Sequence, residues 1–180
     1  MAELSRVKNI DALSGFGFLI EKFSGLAEIP TLPDICGWLA EAAITDEEIA
    51  PYRYFSPDKY TRNQVFRNEF VELLVLGWLP GQISLIHDHD GSHGVIRVFE
   101  GMMIETKFGR GADQKLFVGT KRNVSEGMLA GVGEPDIHQL SSIETEGQNS
   151  ITIHVYAPPL KGLNVYEVGS AMSEFYPELA

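Results

Sequence analysis

Residues 81–89 read GQISLIHDH and carry two histidines, one residue apart, in an apolar and β-branched run. Because side chains alternate faces along a strand, His87 and His89 point to the same side. Two neutral imidazoles on one face form half of a site for a first-row transition metal. The chain has five histidines, and His138 is the candidate third ligand. The spacing predicts a sheet folded round on itself with the metal inside.

Each histidine also has a structural interpretation. A lone histidine such as His138 is more often a hydrogen-bonded core residue than a ligand, whereas two inward imidazoles without a metal need polar partners that are costly to supply. His93 follows the pair, but residues 90–92 read DGS and predict a turn. We therefore expect His93 to be a turn residue or a support for the ligands rather than a ligand.

Composition narrows the class of protein. With 180 residues, 44% hydrophobic and 22% charged, the chain is expected to fold as one globular domain, residues 1–180. The net charge of −11 argues against nucleic acid and acidic membranes as partners, and no apolar run reaches the length of a membrane span. The single cysteine, Cys36, excludes an internal disulfide, which is typical of a reducing compartment. The N-terminus shows no signal-peptide pattern, so we expect a cytoplasmic protein.

The hydrophobic period changes along the chain and predicts a mostly β fold. Residues 1–50 show helical spacing, with helix starts at Thr31 and Thr45, and are expected to pack on a sheet structure formed by residues 52–160. Residues 161–180 are expected to wrap the outside as a tail. Short apolar segments separated by turn residues favour an antiparallel sandwich or barrel. The predicted strands are residues 70–79, 83–89, 94–100, 102–108, 115–118, 127–130, 137–141 and 150–156.

The histidine pair lies in a longer glycine frame. Gly81 precedes His87 by six positions. Four residues separate His89 from Gly94, and six residues separate Gly94 from Gly101. This frame resembles the first motif of the cupin superfamily, which implies a cupin-type antiparallel β-barrel (a small jelly roll) with an N-terminal helical segment. The motif usually carries glutamate where this chain has Gly94, so the resemblance implies a neutral, three-histidine site. The second cupin motif is degenerate, and His138 fits its ligand position by spacing.

Two polar clusters lie outside the histidine frame. Tyr60 and Arg62 share a face of an extended segment, and a carboxylate is the best planar partner for a guanidinium inside a barrel mouth. Alternatively, Arg62 is a solvated surface residue. Residues 150–156 read SITIHVY, in which Thr152, His154 and Tyr156 alternate with apolar residues. This polar row either forms a hydrogen-bonded relay inside the barrel or faces solvent.

Taken together, these motifs resemble cysteine dioxygenase type I over residues 52–159. The resemblance implies that His87, His89 and His138 bind one iron(II) ion per chain. It implies that Arg62, helped by Tyr60, holds the carboxylate of L-cysteine. The residues that carry the resemblance are His87, Asp88, His89, Ser92, His93, Gly101, Glu105, Thr106, Tyr60, Thr61, Arg62, Asn63, His138 and the run HVYAPP at 154–159.

The resemblance also assigns the polar row. Tyr156 is implied to lie beside substrate and oxygen, with His154 positioning it and Thr152 orienting His154. Animal members of the family carry serine in place of Thr152, and a cysteine in place of Gly94 that cross-links to the tyrosine matching Tyr156. This chain has glycine there, as bacterial members do, so Tyr156 is expected to remain a free phenol.

The resemblance therefore implies an iron-dependent dioxygenase that converts L-cysteine and O2 into cysteine sulfinic acid. One alternative is a dioxygenase of 3-mercaptopropionate or another small thiol; family members with that preference carry glutamine in place of Arg62, so Arg62 favours an amino-acid substrate. Another is a metal-binding cupin without turnover. We expect a monomer or a homodimer.

Overall fold

The computed structural model describes residues 15–131, 136–143, 145 and 147–177. Its secondary structure is mostly β, as predicted, and the strands form two antiparallel sheets. The helices are α1 (Gly15–Ser24), α2 (Leu32–Glu41) and α3 (Asp46–Ile49), followed by a 3-10 turn at Ala50–Tyr52. The strands are β1 (Thr61–Arg67), β2 (Glu72–Trp78), β3 (His87–Asp88), β4 (His93–Glu100), β5 (Met102–Arg110), β6 (Leu116–Ser125), β7 (Leu129–Ala130), β8 (His138–Ser142), β9 (Ser150–Ala157), β10 (Leu163–Tyr166) and β11 (Ser173–Tyr176).

The two sheets face each other and enclose a core. The first sheet has the order β1-β2-β9-β4-β7, and the second has the order β11-β10-β3-β8-β5-β6. One apolar cluster joins Leu76 and Val98 of the first sheet to Met103 and Leu140 of the second. This is the jelly-roll arrangement that the sequence predicted.

The helices cover the outer face of the first sheet. Leu19 and Leu39 pack with Val75, Val95 and other apolar residues that face away from the interior. Ile151, Ile153 and Val155 of β9 belong to this outer cluster, so the apolar face of that strand contacts the helices, as expected.

Local capping fixes the helices in the places that the sequence indicated. Thr31 and Thr45 each form a capping box, with Asp34 and Glu48 as the acidic partners. The Arg97 guanidinium donates to the carbonyls of Leu39 at 2.8 Å and Ala42 at 2.6 Å, which attaches the end of α2 to β4. Of the first predicted helix, residues 4–14 lie outside the described residues.

Gly15, at the start of α1, needs to be glycine for two reasons. Its φ of +58° lies in the left-handed region, and an added Cβ would lie 1.9 Å from the Glu48 carboxylate. The same carboxylate accepts a 2.8 Å hydrogen bond from the backbone N–H of Phe16. Glu48 therefore caps its own helix and also fixes α1.

Several predicted boundaries were wrong. The predicted strand at 83–89 is reduced to His87–Asp88, because Ile83 forms only an isolated bridge with Ser141. The predicted strand at 115–118 extends to Ser125; β6 is an edge strand, and its exposed polar residues hide the strand pattern. The segment around Arg62, named only as extended, is β1.

The segment after residue 160 is more than a covering tail. Its strand β10 pairs with β3, with Val165 opposite His87 and Asn164 opposite Asp88. Tyr166 and Asn164 both donate hydrogen bonds to the Asp88 carboxylate. The two-residue strand that carries His87 is thus held on one side by β8 and on the other by β10.

None of the helices in the described ranges is long and apolar enough to cross a membrane.

Candidate metal centre and substrate cavity

Three histidines converge at the inner face of the second sheet. β3 pairs with β8 so that His87 lies directly opposite His138, and His89 follows two residues after His87. The ring centroids are 4.8–5.2 Å apart, and the candidate ligand atoms all lie within 4.8 Å of one another. All three side chains are buried.

Each imidazole uses its Nδ1 atom for a contact with the protein. Nδ1 of His87 is 2.8 Å from the Leu85 carbonyl oxygen, and Nδ1 of His138 is 3.3 Å from Oε1 of Glu105. Nδ1 of His89 is 3.3 Å from a carboxylate oxygen of Asp136. Carbonyl and carboxylate oxygens only accept hydrogen bonds, so each Nδ1 carries the proton and each Nε2 presents a lone pair.

The free Nε2 atoms fit a metal ion. Nε2 of His89 and Nε2 of His138 are buried without any hydrogen-bond partner among the described residues, an arrangement that is costly unless a ligand satisfies them. Burial lowers the pKa of His138 and lowers the pKa of His87 well below its usual value, with neighbouring histidines adding to the effect at His87. Neutral imidazoles in this arrangement match the donor set of a first-row divalent cation.

Glu105, whose carboxylate contacts Nδ1 of His138, is itself fixed by several hydrogen bonds. It is completely buried in β5, and its carboxylate accepts bonds from the Gly131 N–H at 2.9 Å and from Nε of Arg122 at 2.8 Å. Burial alone would raise the pKa of Glu105, but the hydrogen bonds from His138, Gly131 and Arg122 lower it to about 2. The carboxylate is therefore ionised and fixes the proton of His138 on Nδ1.

We expect Glu105→Gln to weaken metal binding about 10- to 100-fold, the usual cost of losing a charged partner behind a ligand. Glutamine keeps the size of the side chain but removes the charge that holds Nδ1–H of His138. Titration of the metal against a competing chelator measures the effect, with the exposed Glu69→Gln as the control. Equal affinity in the wild type and Glu105→Gln would show that His138 does not depend on this carboxylate.

The low pKa of the Glu105 carboxylate also predicts that the free energy of unfolding decreases in acid. Because the pKa of Glu105 is about 2 in the folded chain and near 4.5 when exposed, the unfolded state binds more protons between these values. Its contribution to the free energy of unfolding is therefore present above pH 4.5 and is lost as the pH falls towards 2. Chemical denaturation at a series of pH values should show a shallower slope in this window for Glu105→Gln than for Glu69→Gln.

A small cavity adjoins His87. Polar groups from both sheets converge on it, and apolar side chains fill the space between them. Its lining includes Tyr60, Arg62, Leu76, Trp78, Ser84, His87, Ile96, Leu140, His154, Tyr156 and Leu163. The predicted cluster of Tyr60 and Arg62 and the predicted polar row thus meet beside the histidine site.

Arg62 presents its charge to this cavity. The side chain is half-buried, and within the described ranges it forms no ion pair with an acidic residue. Its charge acts on Tyr156, whose pKa it lowers against the larger effect of burial. Tyr60, whose pKa is raised by burial, stacks on Trp78 with ring centroids 4.1 Å apart. A guanidinium without a carboxylate partner in a cavity favours an anionic ligand.

The polar row of β9 is buried, so the alternative in which it faces solvent is wrong. Oγ1 of Thr152 lies 2.8 Å from Nε2 of His154, and Nδ1 of His154 lies 2.9 Å from the Tyr156 hydroxyl. Burial and the charge of Arg62 lower the pKa of His154 well below its usual value. Burial raises the pKa of Tyr156 to about 12, so its phenol keeps its proton.

The sequence matches the family model for cysteine dioxygenase type I over residues 38–168, well over half of the chain. The chain belongs to this family. Human cysteine dioxygenase type 1 is 29% identical over 125 residues, which is 67% of this chain and 62% of the human protein. The chain thus matches less than two thirds of the length of these curated relatives.

Solved structures support the fold. A double-stranded β-helix protein from Klebsiella pneumoniae superposes with a TM-score of 0.51 at 20% identity, over 71% of this chain and 99% of that one. The protein TT1209 from Thermus thermophilus superposes with a TM-score of 0.50 at 23% identity, over 64% of this chain and 96% of that one.

Gly94 lies in β4 directly opposite Tyr156 in β9. The His89 ring occupies the space beside it, since an added Cβ would lie 2.7 Å from Cε1 of His89. The chain's single cysteine, Cys36, is in α2, so residue 94 cannot supply a thioether bond to Tyr156.

Sequence reasoning missed three residues that support the candidate site. Glu105 was noticed only as part of the resemblance, although an acid among inward-facing residues of a strand is a signal in itself. Asp136 lies in a degenerate motif, and Trp78 lies in the predicted strand at residues 70–79, where no local pattern indicates a hydrogen bond. His93 begins β4 and is exposed, outside the histidine cluster.

Proposed function

We propose that this protein is an iron(II)-dependent thiol dioxygenase that converts L-cysteine and O2 into cysteine sulfinic acid. The observation that carries the proposal is one cavity that contains three unlike groups. It borders His87, which clusters with His89 and His138, whose buried Nε2 atoms lack a partner among the described residues. It also borders a guanidinium without an acidic partner in the described ranges, and a buried phenol that keeps its proton. Membership of the cysteine dioxygenase type I family supports the same reaction.

The reaction balances without another reductant. A thiol and O2 combine into a sulfinic acid, both oxygen atoms end on sulfur, and sulfur supplies all four electrons. Iron(II) held by His87, His89 and His138 would supply the redox chemistry that brings thiolate and O2 together. The tasks of the chain are to bind and orient the substrate, to exclude water and to provide a proton donor.

Arg62 is proposed to select the substrate. L-Cysteine carries a carboxylate two bonds from the carbon that bears sulfur, and a guanidinium can pair with that carboxylate through two parallel hydrogen bonds. Tyr60 is proposed to help Arg62, because its ring stacks on Trp78 at the same wall of the cavity. This pairing fixes the substrate while its thiol is directed towards the histidines.

Tyr156 is proposed to donate its phenol hydrogen towards the reacting oxygen and sulfur atoms. Its ring lies next to His89, with centroids 5.2 Å apart, and its oxygen is held by His154. Because the pKa of Tyr156 is about 12, the hydrogen is retained at any pH near neutrality. His154 and Thr152 are proposed to orient the phenol.

We expect Tyr156→Phe to lower kcat about 100-fold, a typical loss when one oriented donor at a reacting centre is removed. The ring and its packing remain, so bound metal, measured by elemental analysis, should stay at the wild-type level. In the wild type, the absorbance of Tyr156 phenolate should not appear at the usual tyrosine pKa near 10. Unchanged kcat in Tyr156→Phe would remove the phenol from the proposed chemistry.

Oxygen consumption by the iron(II)-loaded protein tests the whole proposal. L-Cysteine and 3-mercaptopropionate are supplied in parallel, and mass spectrometry identifies the sulfinate. Rapid uptake with L-cysteine and little with 3-mercaptopropionate supports the proposal. The reverse preference would leave a thiol dioxygenase with another substrate, and no uptake with either would favour a metal-binding cupin without turnover.

The compartment, the partners and the oligomeric state are also proposals. We propose a cytoplasmic protein with L-cysteine and O2 as its partners, acting as a monomer or homodimer without nucleic acid or membrane. The net charge of −11 and the half-buried, unpaired Cys36 support this setting.

A further inference from the structure

We propose that Trp78 sets the direction of the hydrogen bonds through Thr152 and His154, so that the phenol hydrogen of Tyr156 points into the cavity. Trp78 would then be a positioning residue that acts through Thr152. Its effect on turnover rests on the proposed dioxygenase function, whereas the direction of the hydrogen bonds does not. The two can therefore be tested separately.

The indole of Trp78 fixes one end of the relay. Trp78 is the last residue of β2, is 1% exposed, and donates from Nε1 to Oγ1 of Thr152 at 2.9 Å. An indole N–H can only donate, so Thr152 must present a lone pair to it. The hydroxyl hydrogen of Thr152 is then left for another partner.

His154 is the acceptor available for that hydrogen. Thr152 is fully buried, and its hydroxyl contacts only Trp78 and His154 within the described part of the chain. If Nε2 of His154 donated instead, Thr152 would accept twice and its own buried hydrogen would have no acceptor. The hydrogen of Thr152 therefore points to Nε2.

The direction of the hydrogen bond between His154 and Tyr156 follows from the neutral charge of His154. Burial keeps the imidazole neutral, so it has one N–H, and with Nε2 accepting, that N–H is at Nδ1. Nδ1 donates to the hydroxyl oxygen of Tyr156 at 2.9 Å. The phenol oxygen accepts from Nδ1, and its own hydrogen is free for the cavity.

Trp78 also contacts Tyr60, which is proposed to help Arg62 bind the substrate. The face of its indole stacks on Tyr60, while its edge donates to Thr152. Trp78→Phe keeps an aromatic ring against Tyr60 and removes the N–H, together with part of the buried indole. Thr152→Val keeps the shape of the side chain and removes the hydroxyl on which Trp78 acts.

The first measurement is the tautomer of His154, by nitrogen NMR of histidine-labelled protein loaded with Zn²⁺ as a diamagnetic probe. We expect protonated Nδ1 and unprotonated Nε2 in the wild type. Trp78→Phe and Thr152→Val should both add signal from the Nε2-protonated form. Trp38→Phe changes the other tryptophan of the chain, in α2, and should leave His154 as in the wild type.

The second measurement is turnover of L-cysteine in a double-mutant cycle. Trp78→Phe and Thr152→Val should each lower kcat about tenfold with little change in KM, and the double variant should be no worse than Thr152→Val alone. Trp38→Phe should keep the wild-type kcat.

The outcomes separate the two proposals. A wild type with protonated Nε2, or a Trp78→Phe variant with the wild-type tautomer, would overturn the role of Trp78 whatever the enzyme does. Losses of kcat that multiply in the double variant would also overturn it, because Trp78 would then act independently of Thr152. The expected tautomers in a protein that consumes no oxygen would uphold the direction of the relay and reject the dioxygenase.

Discussion

Replacing His138 by alanine is expected to remove stoichiometric metal binding and to lower oxygen consumption by far more than 100-fold. Changes behind the ligands typically cost about 10- to 100-fold in affinity, and the loss of one ligand in three exceeds that. Among the described residues, Nε2 of His138 is buried without a partner, and a bound metal would satisfy it. Elemental analysis after dialysis, together with oxygen uptake, measures both effects.

His93→Ala is the matched control for His138→Ala. His93 is exposed at the start of β4 and lies outside the three-histidine cluster, so its removal should change neither metal content nor turnover. Far-UV circular dichroism of both variants checks that the sheets are intact. Full metal content in His138→Ala would mean that the ion binds elsewhere.

Arg62→Gln is expected to lower kcat/KM for L-cysteine about 100- to 1000-fold, the range found when one partner of a buried charge pair is truncated. The comparison substrate is cysteamine, which has the thiol and amine of cysteine but no carboxylate. Because Arg62 has nothing to pair with on cysteamine, the same substitution should change its turnover much less. Oxygen uptake with each thiol gives the two ratios.

Arg110→Gln tests whether the effect of Arg62→Gln is local. Arg110 lies over the ring of Tyr166, outside the lining of the cavity, and its loss should leave both substrates unaffected. Equal losses on L-cysteine and cysteamine in Arg62→Gln would contradict carboxylate recognition. They would instead point to an effect of the Arg62 charge on Tyr156.

The sequence was most informative where local pattern and chemistry coincide. The spacing of His87 and His89 within a glycine frame predicted a shared face, and Thr31 and Thr45 predicted helix starts through their acidic partners. The alternation in β9 predicted one apolar and one polar face. It could not decide whether the polar face is buried, because that depends on the second sheet.

The residues that the sequence did not reveal are connected across long separations. Glu105 reaches His138 from 33 positions away, and Trp78 reaches Thr152 from 74 positions away. The strand β10 could not be expected from its composition, since it is four residues long and depends on pairing with β3. Register between distant strands sets these contacts, and no local period encodes it.

The pairing of β10 with His87 and Asp88 has a consequence for the order in which the chain is synthesised. All three histidines have been translated once residue 138 is added, but the strand that pairs with β3 follows at Leu163–Tyr166. A nascent chain therefore contains the donors before it contains the strand that helps to orient them. We expect a chain truncated before Leu163 to keep all three histidines and to bind a metal less selectively than the full chain.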